Sequence, residues 1–161
     1  MNEAHASASR VASLLVERGE TLAVAETAAG GLISAALLAV PGASAWFLGG
    51  AVAYSTAAKE RWLGLGAGAF GPDGVVSERG VLAMARAAQQ ALGATWGLAE
   101  AGIAGPQTGR RSAKPAGLAW IAVAGPLDVA EEFRTGLGDR SANQRAFAVV
   151  ALALLERALR R

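Results

Sequence analysis

No cysteine occurs in the 161 residues, and histidine occurs once, at position 5. The first absence excludes a disulfide framework, thiol catalysis and cysteine zinc sites. The second leaves no His-based metal site and no Ser-His-Asp triad, because His5 stands alone near the N-terminus. Lysine is scarce too, with Lys59 and Lys114 the only two. A formal net charge of +2 is too small an excess to mark a polyanion binder, so no nucleic-acid partner is expected. Glycine, proline or charge interrupts every apolar run well before the ~20 residues that a membrane span requires. The opening stretch MNEAHASASRVASLLVERGE carries charges throughout and sets Val11, Leu14 and Leu15 at helical spacing, which reads as an amphipathic helix and not a signal peptide. No membrane contact and a cytoplasmic location are expected. Whatever chemistry the chain performs must use hydroxyls, carboxylates, lysine or backbone amides.

What is abundant is apolar sequence. At 53% hydrophobic residues, the chain can bury the core of a single domain over 1–161, with a helix in 1–19 and the body in 20–161. Helix and strand signals alternate. A helix over 4–18 closes at Gly19, TLAVA (21–25) is a buried strand, 30–39 a helix closed by Pro41-Gly42, and LGGAVAYS (48–55) a second strand. A short helix (56–63), a glycine-rich loop (64–74) and a helix over 77–93 follow, with Ser77 as its N-cap. Strands near 95–103 and 118–125, a hairpin partner at 128–135 and a closing helix from about 140 to 159 complete the chain. The alternation predicts an α/β fold, a layered α/β/α domain with a mixed, mostly parallel sheet and an antiparallel edge. No internal repeat is visible. Trp46 and Phe47, adjacent in the apolar segment VPGASAWFLGG, fit either a core corner or a subunit interface, and a homo-oligomer is expected.

Two apparent motifs fail on context. GAGAFG (66–71) has the spacing of a dinucleotide fingerprint, but it follows a helix and runs into Pro72-Asp73-Gly74, where a Rossmann turn needs a strand before it and a helix after it. Tyr54 and Lys59 suggest the Tyr-Lys pair of short-chain dehydrogenases, yet their spacing is five and a strand end intervenes, so they do not share a helix face. No cofactor is expected, and no metal cluster is visible.

Residues 25–31, AETAAGG, lie between a strand and a helix, and only Glu26 and Thr27 among them carry reactive groups. Thr27 suits a nucleophile or an N-cap for the helix that follows. Glu26 suits a carboxylate that fixes the turn or pairs with an arginine, or an acid/base group. Gly30 and Gly31 let backbone N–H groups approach an anion, or simply make the turn tight.

Together AETAAGG (25–31), VPGASAWFLGGAVAYSTAAKERWLG (40–64), GVVSE (74–78), AGIAGP (101–106), KPAGLAWIAVAGP (114–126) and GDRSANQRA (138–146) resemble the C-terminal domain of the competence/damage-inducible CinA family, in order and spacing from about residue 20 onward. The separate N-terminal domain of many full-length members is not part of this sequence, an arrangement that resembles the stand-alone deamidases. Active members of the family are nicotinamide mononucleotide deamidases similar to Ser/Lys amidases. The resemblance therefore implies a small pyridine nucleotide as partner, a hydroxyl nucleophile at Thr27, a lysine base at Lys59 and a supporting tyrosine at Tyr54.

The sequence departs from the family at this point. Its nucleophile motif is close to A-E-S-C-T-G-G, so Thr27 stands for the serine, Ala28 for the cysteine and Ala29 for the threonine. In AGIAGP, Ala101 replaces a threonine, with Gly102 and Gly105 kept as pocket residues. Arg110 and Arg111 occupy a loop that is glycine-rich in the family and suit either a phosphate or solvent, while Lys114, Pro115 and Gly117 keep the family pattern at the border of the pocket. Arg140 and Arg145 resemble basic positions expected to bind phosphate or close the site, Arg145 alternatively pairing with a carboxylate across a subunit boundary, and Asp139 is a natural cap for the last helix. Two functions stand side by side: an amidohydrolase, or an impaired paralogue that keeps the pocket as a binding module.

Overall fold

Strands apolar on both faces must be covered on both sides, and the alternation of side chains along each strand decides which residue meets which layer. The computed structural model describes residues 2–106 and 112–161. The order along the chain is α1 (Asn2–Arg18), β1 (Leu22–Glu26), α2 (Leu32–Leu38), β2 (Phe47–Val52), α3 (Thr56–Leu63), α4 (Glu78–Leu92), β3 (Trp96–Gly102), β4 (Leu118–Ala124), β5 (Val129–Arg134) and α5 (Arg140–Leu159). The sheet runs β2-β1-β3-β4-β5. β1 pairs in parallel with both β2 and β3, whereas β3–β4 and β4–β5 are antiparallel. This is the expected mixed α/β sheet, with β5 returning as the hairpin partner of β4.

On one face Leu22, Val24, Trp96, Leu98 and Ile121 pack with residues of α1, α2 and α5 such as Leu15, Leu37 and Leu155. On the other, Ala23, Ala25, Ala99, Ala101 and Ala122 meet Val81, Met84 and Ala85 of α4. The alanines on this second face let α4 lie very close to the sheet. At Gly97 even a Cβ would come within 1.9 Å of the Ala85 carbonyl oxygen, so only glycine fits.

Local signals place several helix ends as expected. Ser77 Oγ accepts from Gly80 N, Asp139 Oδ1 from Ala142 N, and Ser55 Oγ from Ala58 N. The helix expected over 30–39 is shorter, because Gly30 and Gly31 take left-handed φ values of 67° and 96° and belong to the turn. GAGAFG follows α3 and contains a 3-10 turn over 67–70, with no strand before it, in keeping with its rejection as a dinucleotide site. Trp46 is only 1% exposed and Phe47 is also buried, which makes the pair a core corner. Exposed apolar side chains include Leu48 and Val52 of the edge strand β2, with Trp62 of α3 and Leu92 of α4. Among the described residues, no helix is long and apolar enough to cross a membrane.

β1 connects to β2 on one side, and the chain then crosses back through α3 and α4 to β3 on the other. The carboxyl ends of β1 and β3 therefore form a topological switch point, where connections diverge and leave a crevice in open α/β sheets.

Candidate functional site

Thr27 leaves β1 at this switch point and is buried. Its neighbours continue a turn through Gly31, and two carboxylates on the α2/α5 side of the sheet hold that turn from below. Glu26, the last residue of β1 and fully buried, folds its carboxylate back onto the first turn of α2. Oε2 accepts from Gly31 N at 2.9 Å and Ile33 N at 3.1 Å, and Oε1 accepts from Ser34 N at 2.8 Å and Ser34 Oγ at 2.6 Å. An anion at a helix N-terminus meets both the orphan N–H groups and the positive end of the helix dipole. Glu26 is thus the cap of α2, the turn-fixing reading of this residue.

That arrangement corrects two expectations. Thr27 does not cap α2: the N-cap position is Gly31, which has no side-chain bond, and Thr27 lies well before the helix. Nor do Gly30 and Gly31 offer their N–H groups to a ligand, since Gly30 N donates to Thr27 O and Gly31 N to Glu26.

Glu100, on β3, supplies the second carboxylate. It is 0% exposed, and its Oε2 accepts from Thr27 N at 3.1 Å and Ala29 N at 2.9 Å. Burial pushes its pKa up to about 7, the backbone N–H groups oppose the rise, and the nearby Glu26 charge adds to it. Sequence reasoning passed over Glu100, although a lone charge inside the apolar strand WGLAEAG is a visible signal.

β2 runs parallel beside β1, with Glu26 opposite Val52, so Tyr54 and the N-terminus of α3 emerge next to the Thr27 turn. Lys59 on α3 is 6% exposed and turns inward. Its Nζ donates to the Tyr54 carbonyl oxygen at 2.8 Å, and among the described residues it has no ion pair and no hydrogen bond to Thr27 Oγ1. Burial alone lowers its pKa, favouring the neutral amine. Tyr54 is not a core residue: its side chain is 61% exposed, and it holds Lys59 through its main-chain carbonyl.

α5 closes the site. Arg140 Nη1 donates to Gly105 O at 2.7 Å and Nη2 to Tyr54 Oη at 3.3 Å, joining the segment after β3 to the segment after β2. Asn143, buried, donates through Nδ2 to Ala104 O and Leu137 O, and Gln144 Nε2 donates to Ala28 O. Neither residue was singled out from the sequence, because amides on a helix carry no positional signal.

The remaining expected residues divide. Ala101 is buried against the α4 layer with Ala25 and Ala99. Gly102 is required by packing: a Cβ there would lie 2.8 Å from Phe147, 3.0 Å from Ala119 and 3.0 Å from Glu100 Oε1. Arg145 is exposed on α5, its charge acting on Asp139, and no bond ties it to Arg140 or Tyr54. Lys114 and Pro115 border a different groove of about 910 Å³, lined also by Arg79, Arg134 and Glu132 and by none of Thr27, Tyr54, Lys59 or Arg140. Lys114 Nζ donates there to the carbonyl oxygens of Asp73 and Val76. Arg110 and Arg111 lie outside the described residues. Among the described residues, no group of three His, Asp or Glu side chains is placed to hold a metal ion.

Comparison with known proteins shows what the chain is similar to. A family model described as the CinA C-terminal domain matches residues 4–159. A CinA-like protein of Parasynechococcus marenigrum is 44% identical over 154 residues, covering 96% of this chain and 36% of its own length. Another, of Anaeromyxobacter dehalogenans, is 45% identical over 150 residues, covering 93% of this chain and 36% of its own. The chain thus spans about a third of the length of these curated relatives. Among solved structures, a competence-damaged protein (CinA) superfamily protein from Klebsiella pneumoniae superposes with a TM-score of 0.89 at 32% identity, covering 98% of both chains. The competence/damage inducible protein CihA from Agrobacterium tumefaciens gives 0.89 at 33% identity, covering 99% of this chain and 96% of that one.

Proposed function

Because the chain belongs to the CinA C-terminal domain family, we propose that it is an amidohydrolase acting on the carboxamide of nicotinamide mononucleotide, releasing ammonia and nicotinate mononucleotide. One observation carries the reading. Lys59 is buried without a carboxylate partner, held by a single carbonyl oxygen, and its proton affinity is lowered by that burial. A buried ammonium without a carboxylate costs stability, and the burial that lowers its pKa moves Lys59 toward the role of a base.

In this mechanism Lys59 Nζ leaves the Tyr54 carbonyl and takes the proton of Thr27 Oγ1, which attacks the carboxamide carbon. Collapse of the tetrahedral intermediate breaks the C–N bond, and the proton on Lys59 passes to departing ammonia. Water activated by the same amine then cleaves the Thr27 ester. Arg140, beside Tyr54 Oη at the exposed end of the site, holds the nucleotide phosphate. The N–H groups of Thr27, Ala29 and Gly31 already donate to Glu100 and Glu26, so the oxyanion is stabilised by other donors, the Lys59 ammonium included.

A second reading has its own support: Thr27 Oγ1 and Lys59 Nζ are not hydrogen-bonded, and Ala28, Ala29 and Ala101 bury methyl groups where the family has reactive or polar side chains. A paralogue that binds the nucleotide without turnover fits these facts. Ammonia release from nicotinamide mononucleotide by the purified chain separates the two. Turnover is expected; saturable binding with no ammonia would leave only the binding module.

A further inference from the structure

Of the two carboxylates beneath the Thr27 turn, Glu26 is fully hydrogen-bonded and accounts for the start of α2, whereas Glu100 is only half engaged. Its Oε2 gathers the backbone N–H groups of Thr27 and Ala29, and its Oε1 is buried with no hydrogen-bond partner among the described residues. A buried, unpartnered carboxylate oxygen is costly when charged and needs an explanation. Oε1, Ala119 of β4 and Phe147 of α5 all border the small space beside Gly102, each within 3.0 Å of where a Cβ would stand there.

We propose that Glu100 is the positioning residue of the Thr27 turn, and that uptake of a proton by its carboxyl loosens its hold on the turn and moves Thr27. The role in turnover rests on the amidohydrolase reading; the coupling of the carboxyl to the turn does not.

The chemistry follows from the two forms of the acid. Ionised, Glu100 is a charged acceptor for two N–H groups, and charge-assisted bonds are roughly twice as strong as neutral ones. A proton on Oε1 relieves the unpartnered oxygen of its charge and weakens Oε2 as an acceptor, so the N–H groups of Thr27 and Ala29 are held less tightly. Among the charged groups at this end of the sheet, Glu26 of β1 acts on Glu100 and favours its protonated form. Lys59 of α3 and Arg140 of α5 bond elsewhere, to Tyr54 O and to Gly105 O and Tyr54 Oη, and α2 presents no titratable side chain. Burial sets the transition at about pH 7, where the two forms are comparably populated.

The test is the pH dependence of the backbone amide resonances of Thr27 and Ala29 in the full chain, from about pH 5 to 9, for the wild type and Glu100→Gln. The amide side chain is isosteric with the protonated acid and does not titrate. Both resonances are expected to shift together with a midpoint near 7 in the wild type and to stay flat in the variant. The kcat of the wild type carries an inflection at the same midpoint that Glu100→Gln loses, with KM changed less than about twofold, a split that a merely structural role would not give. Thr27 and Ala29 amides that do not titrate in the wild type, or that titrate alike in both proteins, would overturn the proposal. If Glu100→Gln does not fold, the wild-type titration decides alone. Absence of turnover with the amide titration intact removes the amidohydrolase reading and supports the placement of Glu100.

Discussion

Glu26 and Glu100 stand one residue past the last registered pair of β1 and β3, Ala25 opposite Ala99, and divide one turn between them. Glu100 takes the N–H groups of Thr27 and Ala29, and Glu26 takes those of Gly31, Ile33 and Ser34. Burial raises the pKa of Glu100, and the charge of Glu26 on the neighbouring strand adds to the rise.

Removing the Glu26 carboxylate leaves the first turn of α2 without its cap and three backbone donors unsatisfied. Glu26→Ala is expected to lower the unfolding free energy by roughly 2 to 4 kcal/mol, measured by urea denaturation. A loss below about 1 kcal/mol would mean that water reaches these donors and that the cap is dispensable.

Glu100 contributes with the opposite sign to an ordinary surface acid. Its pKa is raised on folding from 4.5 to about 7, so its contribution to stability is complete below the unfolded value and is lost as pH rises through the folded one. The wild type is expected to lose on the order of 3 kcal/mol between about pH 4.5 and 8 from this group. Denaturation midpoints of Glu100→Gln over the same window should be flat by comparison. Parallel curves for the two proteins would show that Glu100 is ionised throughout.

For Lys59 the two possible roles give opposed results. A base that is buried and unpaired can be replaced by Lys59→Met with turnover lost by roughly 10²-fold or more and thermal stability kept or raised. Activity in the wild type should rise with pH as Lys59 sheds its proton, since only the neutral amine accepts one from Thr27. Full activity in Lys59→Met would sink the mechanism.

Thr27→Ser restores the unbranched hydroxyl of the family and frees χ1, so a several-fold rise in kcat is expected. Thr27→Ala should abolish ammonia release while leaving the fold intact, because the turn is held through backbone atoms. Unchanged turnover in Thr27→Ala would assign the nucleophile elsewhere.

Arg140→Ala separates phosphate binding from chemistry. KM for nicotinamide mononucleotide is expected to rise about tenfold or more, with a much smaller effect on the dephosphorylated nucleoside. Equal losses for both compounds would make Arg140 a strut between Gly105 and Tyr54 and nothing more.

Much of the architecture is legible in the sequence. Periodicity and punctuation mark the alternating elements, the helix expected over 56–63 has those ends in the structure, and Ser77 and Asp139 cap the helices that follow them. The motifs from AETAAGG to GDRSANQRA pointed to the family that the comparisons show. These features are local, or are patterns of residue order, and the chain states them directly.

Only the tertiary structure decided which side chain serves which end. Thr27 suits a helix cap as a residue type, but Glu26 reaches back to cap α2, because two left-handed glycines delay the helix. Glu100 meets Thr27 across 73 positions of sequence, and Arg140 meets Tyr54 across 86. Lys59 is buried and not solvated, its ammonium turned onto the Tyr54 carbonyl oxygen. Contacts of that kind depend on strand order, which local periodicity does not encode. The sequence by itself determined the family, the layers and the shortage of reactive groups; packing at the β1/β3 switch point decided which of those few groups meet, and in what state of charge.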